Sequence, residues 1–236
     1  MANREIIHDG HRQRLKKRFL EEDLDNFDEH QALELLLFYC IPRQDTNPIA
    51  HALLDRFGSL AQVMEAPPKE LQKVSGIGEK AATFLAVINS FCRYYDTHRF
   101  DPGTVLNTSR ACAKALIPHF NGVRNEKVYL LCLDAKCKKL CCREVGEGSV
   151  NSAAVPIRRI VEMALDANAT TVVLAHNHPS GIALPSPEDV LTTKKLAIAL
   201  SAVDITLVDH IVVADGEGVS MRDSLLYDPA ECQMIV

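Results

Sequence analysis

Apolar positions in the first hundred residues recur at three- and four-residue spacing, whereas beyond residue 125 they gather into short runs led by β-branched side chains. The first pattern predicts helices, the second strands separated by helices. Residues 29–39 (EHQALELLLFY) combine good helix formers with a wide apolar face, stopped before Pro42. Asn47-Pro48 opens a helix over 49–57 that Gly58 closes. Ser59 caps a short turn through Met64, Ala66-Pro67-Pro68 breaks the chain, and 69–74 make a brief helix. Past Gly76 and Gly78 a longer helix runs to about Tyr95.

Residues 98–107 (HRFDPGTVLN) read as a linker broken at Asp101-Pro102-Gly103, which divides the chain into 1–100 and 101–236. Asn107 or Thr108 caps a helix through about Leu116, ended by Pro118. Strands follow at 128–133 and 138–145, joined at Asp134-Ala135-Lys136. Over 156–167 an amphipathic helix puts Ile157, Ile160, Val161, Ala164 and Leu165 on one face. A buried strand at 172–175 precedes a second helix at 187–202; further strand pieces lie at 205–208, 211–214 and 219–221. Strands alternating with helices make the second region a mixed α/β domain beside a small all-α one.

The chemistry concentrates in residues 171–189, TVVLAHNHPSGIALPSPED. His176 and His178 stand two apart at a strand end, so both imidazoles project to one side. Pro179, Gly181 and Pro185 make a tight loop, and Ser186-Pro187-Glu188-Asp189 opens a helix. Two neutral imidazoles and a carboxylate suit Zn²⁺ and leave its fourth position to water, whose pKa then falls to roughly 7. We therefore assign His176, His178 and Asp189 as ligands of one zinc ion per chain, with Ser186 close enough to hydrogen-bond the water or a developing oxyanion. The plainer alternative is that Ser186-x-x-Asp189 is an ordinary capping box.

Composition adds limits. At 47% hydrophobic and 24% charged, the 236 residues fit a globular protein. No apolar run approaches the ~18 residues of a membrane span. The opening MANREIIHDGHRQRLKKRF has no apolar stretch to mark secretion, which points to the cytoplasm. Neither half is basic, and the net charge is −5. Arg12, Arg14, Lys16, Lys17 and Arg18 form a local basic run, read as a solvated helix face rather than a nucleic-acid footprint. Eight cysteines give no disulfide framework. Cys132, Cys137, Cys141 and Cys142 cluster on a hairpin, where they pack as small hydrophobes or bind a second metal, although the paired Cys-x-x-Cys spacing is missing.

Gly76-Ile77-Gly78 between two helices resembles the helix-hairpin-helix module, which holds nucleic-acid backbone without reading sequence. Gly76 and Gly78 allow positive φ and close approach, free N–H groups of the next helix face a phosphate, and Lys80 adds charge. Ile77 would anchor the hairpin in the core. The same turn also serves simply to pack two helices. Any DNA contact made this way is weak, sequence-independent and strongly salt-dependent.

His176-x-His178, seven residues, then Ser186-x-x-Asp189 matches the JAMM motif of MPN (JAB-domain) metallopeptidases. HNHPSG with the later VDHIVVADG is closer still to the RadC family, bacterial proteins labelled as DNA-repair factors. The resemblance implies a three-layer MPN-like C-terminal domain after a helical N-terminal module, and a general-base glutamate ahead of an upstream strand. That position is Glu126; from the residues alone Glu144 and Glu147 compete with it, and the resemblance selects Glu126. Asp209 and His210 share the family wording. His210 reads as a buried structural histidine or, alternatively, as a partner orienting a metal ligand. By analogy with the JAMM class, the expected activity is zinc-dependent hydrolysis of an amide or isopeptide bond in a protein or peptide. The alternatives are a non-enzymatic DNA-repair adaptor with structural zinc, and a metal-dependent nuclease.

Overall fold

The computed structural model describes residues 2–100, 102–148 and 157–233 of the chain. It divides into two compact units, Met1–Cys92 and Arg93–Val236. Among the described residues, no helix is long and apolar enough to cross a membrane.

The first unit is helical: α1 (Ala2–Glu22), α2 (Glu29–Cys40), α3 (Asn47–Phe57), α4 (Leu60–Glu65), α5 (Pro68–Leu71) and the start of α6 (Glu79–His98), within which the unit boundary falls. Leu33, Leu37, Leu53, Leu71 and Leu85 are fully buried at its centre. The basic run of α1 is largely spent on this unit. Arg12 donates to the carbonyls of Ile41 (2.7 Å) and Gln44 (2.5 Å) and lies over the Phe38 ring, while Arg18 donates to Asn26 O and lies over Phe27. Ser59 caps α4 as expected, its Oγ accepting from Gln62 N. The expected helix over 69–74 shortens to α5, after which the chain turns.

Gly76 sits at φ +92°, and a Cβ there would lie 2.6 Å from Ile49 Cδ1; Ile77 is buried in the core. Gly78 departs from expectation. Its φ lies outside the left-handed region and a Cβ would meet nothing, so this glycine leaves space open without using positive φ. Lys80 is exposed. α6 runs on to His98, into the stretch expected as linker, because no breaker precedes Pro102 and Tyr94 and His98 stack, 3.9 Å between ring centroids. Asp101, the first residue of the expected break, lies outside the described residues.

The second unit is a five-stranded mixed sheet between helices. Thr108, one of the two expected caps, accepts from Ala111 N and starts α7 (Ser109–Leu116). A 3₁₀ turn over Ile117–Phe120 then leads towards β1 (Lys127–Leu133), β2 (Lys139–Glu147), α8 (Ile157–Asp166), β3 (Thr171–Asn177), α9 (Pro187–Ser201), β4 (Thr206–Ala214), β5 (Glu217–Ser220) and α10 (Pro229–Gln233). Pro156, expected to open α8, lies outside the described residues. The sheet order is β2-β1-β3-β4-β5; β3 and β4 pair in parallel through the α9 crossover, and the other pairs are antiparallel. Alternation sorts the strand side chains into two cores. Val128, Leu130, Cys132, Val172 and Leu174 pack with Ile160 and Ala164 of α8 and Leu196 and Leu200 of α9. Leu131, Leu133, Val173, Ala175, Ile211 and Val213 pack with Cys112, Ala115 and Leu116 of α7.

Two strand pieces expected at 205–208 and 211–214 are one strand, β4. The polar pair between them is buried but satisfied. The Asp209 carboxylate accepts from His210 N (2.8 Å), Ser220 Oγ (2.6 Å) and Arg222 N (3.1 Å), so a charged residue lies mid-strand without interrupting it.

Candidate metal centre

β3 runs two residues beyond the apolar stretch 172–175, so His176 lies inside the strand and His178 just past its end. His176 belongs to the sheet face covered by α9, whose first turn brings Asp189 to the same place. Ser186 caps that helix in the expected box: its Oγ accepts from Asp189 N (3.1 Å), and its N–H and hydroxyl both donate to Asp189 Oδ2, at 2.8 and 2.7 Å. The hydroxyl proton expected near an oxyanion is thus directed at the Asp189 carboxylate. Between the two histidines and the helix, Gly181 turns the chain at φ +83°. The turn brings the Ile182 carbonyl within 3.1 Å of His178 Nδ1.

His176, His178 and Asp189 converge, with one donor atom from each lying within 4.8 Å of the others. Nε2 of His176 is 2.9 Å from Nε2 of His178 and 3.4 Å from Asp189 Oδ1, and His178 Nε2 is 3.6 Å from Asp189 Oδ2. Ligand atoms held at 2.0–2.2 Å around a tetrahedral zinc lie about 3.3 Å apart. The two imidazole nitrogens and the carboxylate are spaced on that scale, with His176 and His178 approaching different oxygens of Asp189.

Proton bookkeeping around the histidines agrees. The Asp189 carbonyl can only accept, so Thr193 Oγ1, 2.6 Å away, donates to it. Thr193 Oγ1 must then accept from His210 Nδ1 at 2.6 Å, which leaves His210 Nε2 as the acceptor for His176 Nδ1 at 2.8 Å. That order puts a lone pair on His176 Nε2. The Ile182 carbonyl likewise requires the proton on His178 Nδ1 and leaves the lone pair on its Nε2. Two lone pairs facing each other beside a carboxylate repel unless a cation lies between them. Burial holds His176 down at about 4, with the nearby Asp189 acting upward and His178 downward. Burial, with His176 and His178, holds His210 well below its ordinary value. Both rings are therefore neutral at pH 7, the state in which imidazole binds a metal.

Glu126 lies one residue before β1 and is half-buried. The β1–β3 register pairs Val128 with His176, which puts the start of β1 alongside the end of β3 that carries the two histidines. Its rivals are placed differently. Glu144 pairs with Tyr129 across β1–β2 and accepts from Lys127 Nζ (2.9 Å) and Tyr129 Oη (3.1 Å). Burial acts upward on Glu144, but those hydrogen bonds outweigh it and keep its carboxyl below the usual range. Glu147 is also ion-paired with Lys127, at 3.4 Å.

The cysteine hairpin does not form a comparable centre. Among the described residues, the triad is the one converging group of three or more His, Cys, Asp or Glu donors. Cys132 and Cys141 face each other across β1–β2, and burial pushes the thiols of Cys132 and Cys142 up, the latter to about 12, away from the thiolate that binds metal.

Thr193 and Asn177 escaped the sequence reading. Thr193 is four residues beyond Asp189 and so shares its helix face, a signal that was available. Asn177 alternates to the opposite side of the strand from the two histidines, and nothing in the linear order marks its side chain.

Residues 106–226 match the RadC-like JAB domain. Over 208 residues the chain is 33% identical to a UPF0758 protein of Rhodobacter capsulatus, covering 88% of this chain and 97% of that one. Over 212 residues it is 32% identical to a UPF0758 protein of Ruegeria pomeroyi, covering 90% and 95%. With this match over half its length and a JAB-like sheet presenting a His-His-Asp cluster, the chain belongs to the RadC-like JAB-domain family.

Proposed function

We propose that the second unit is a zinc-dependent hydrolase of amide or isopeptide bonds. The observation that carries this reading is the access to the triad: His176 and Asp189 side chains are 2% and 4% exposed, whereas His178 is 18% exposed, so solvent reaches an otherwise buried donor set from one side. A closed structural zinc site would instead carry four protein ligands. When bound, zinc supplies Lewis acidity, polarising a carbonyl and lowering the pKa of water. His176, His178 and Asp189 hold it. Glu126 takes a proton from the attacking water and later delivers it to the leaving amine nitrogen. Ser186 keeps Asp189 aimed and, on turning its hydroxyl away from Oδ2, donates to the developing oxyanion.

The test is to incubate the zinc-loaded full chain with a peptide library and, separately, with branched DNA. Chelator-sensitive cleavage of peptides supports the proposal. Cleavage of DNA alone would make the protein a nuclease, and binding of DNA with no cleavage of either would leave an adaptor with structural zinc.

A further inference from the structure

Asn177, between the two histidines, is 5% exposed, and its side chain reaches across to the segment that carries Glu126. Its Oδ1 accepts from Lys127 N at 2.7 Å and its Nδ2 donates to Asn125 O at 3.1 Å. These are the peptide groups on either side of Glu126. The register leads from Val128–His176 towards this point, so the Asn177 amide takes over from the backbone ladder where β1 and β3 separate. A third tie comes from Gly148 N, which donates to Glu126 O at 2.8 Å. Glu126 therefore has its backbone held on both sides by a residue whose immediate neighbours are two metal ligands.

We propose that Asn177 is a positioning residue for Glu126, setting the distance between the carboxylate and the metal centre by gripping its two peptide groups. The proposal rests on the reading of Glu126 as the base. Both functions of the amide are required: an acceptor for Lys127 N–H and a donor for Asn125 C=O. No other side chain of this length presents both together, and an aspartate keeps only the first.

The experiment uses the zinc-loaded full chain and acetohydroxamate, which chelates zinc and places its hydroxyl oxygen where a base carboxylate can bond it. Affinity is measured by calorimetry for wild type, Glu126→Gln, Asn177→Ala and the double variant, with zinc content and exchange of the Lys127 amide followed in each. The expected result is that Asn177→Ala retains one zinc, exchanges Lys127 N–H faster and binds acetohydroxamate about tenfold more weakly. Glu126→Gln should lose a similar factor, and the double variant no more than either alone. Wild-type affinity in Asn177→Ala beside weak binding in Glu126→Gln overturns the role of Asn177 and leaves that of Glu126. Wild-type affinity in Glu126→Gln overturns the base assignment and this proposal with it. Should Asn177→Ala fail to fold, Asn177→Asp decides: zinc retained with weakened acetohydroxamate supports the proposal. Zinc lost, or full affinity kept, overturns it.

Discussion

His176 and His210 share a 2.8 Å hydrogen bond in a fully buried setting, and through it the His-His-Asp cluster closes on itself behind the donors. From His210 the chain of bonds passes to Thr193 and ends on the backbone carbonyl of Asp189, whose carboxylate is another of the three candidate donors. One imidazole and one hydroxyl thus tie two of the donors together on the side away from solvent. Such outer partners fix the tautomer of a ligand histidine and its ring orientation.

Breaking that tie should weaken metal binding without removing a ligand. His210→Leu is expected to lower zinc affinity by about 10–100-fold, as read by competition with a chromophoric chelator. Thr193→Val, which keeps the shape but strands His210 Nδ1, should also cost about 1–3 kcal/mol of stability. Unchanged affinity in both variants would reduce His210 to a packing role.

Ligand and base variants should separate. His176→Ala is expected to lose the metal itself, while Glu126→Gln keeps it and loses about 10²-fold or more in hydrolysis. Elemental analysis after dialysis, alongside the cleavage assay, gives the two readouts; equal metal loss in both, or full activity in the second, removes Glu126 from its role.

Metal removal should destabilise the second unit. An ion that binds only the folded state at 100 times its dissociation constant adds about 2.7 kcal/mol. Chelation should therefore lower the melting transition of this unit and spare that of the helical one. A melting profile indifferent to chelator would contradict the assignment of the triad.

His119 supplies a pH dependence remote from the metal. Burial, with Lys139 and His98, lowers it to about 4, its ring lies 4.8 Å from that of Tyr129, and its Nε2 is buried with no hydrogen-bond partner among the described residues. The folded-state value is below the unfolded one, so its contribution is complete above about 6.5 and is lost as pH falls towards 4. Between those values the unfolded chain binds more protons and stability falls with acidity, by at most about 1.4 kcal/mol per pH unit from this residue. His119→Phe should flatten the slope of unfolding free energy against pH by that amount; an identical slope would show that His119 does not contribute.

The two glycines of the helical unit should behave oppositely. Gly76→Ala forces a side chain into the left-handed region and onto Ile49, and should cost about 1–3 kcal/mol in denaturant unfolding. Gly78→Ala meets nothing and should be near neutral in stability. If DNA docks at this turn, Gly78→Ala and Lys80→Glu should weaken it in a salt-dependent way without unfolding the unit.

How far the site was legible in the sequence depended on whether its geometry is local. His176, His178, Ser186 and Asp189 lie within fourteen consecutive residues, where strand alternation, a Gly/Pro loop and a capping box each have a fixed geometry. Glu126 needed a family resemblance, because only the β1–β3 pairing, fifty residues away in the chain, brings it alongside. The continuity of β4 was missed for a related reason: Asp209 and His210 read as an interruption until Ser220, Arg222, Thr193 and His176 satisfy them.

The sequence by itself determined the two-part layout, most of the helices and strands, and the three donors that converge, since periodicity, caps and short-range turns act through near neighbours. Tertiary structure alone decided which strand ends lie side by side, how the histidine tautomers are ordered and what Asn177 holds. Those depend on hydrogen bonds between strands and helices distant in the chain, whose partners and directions emerge only when the sheet has assembled.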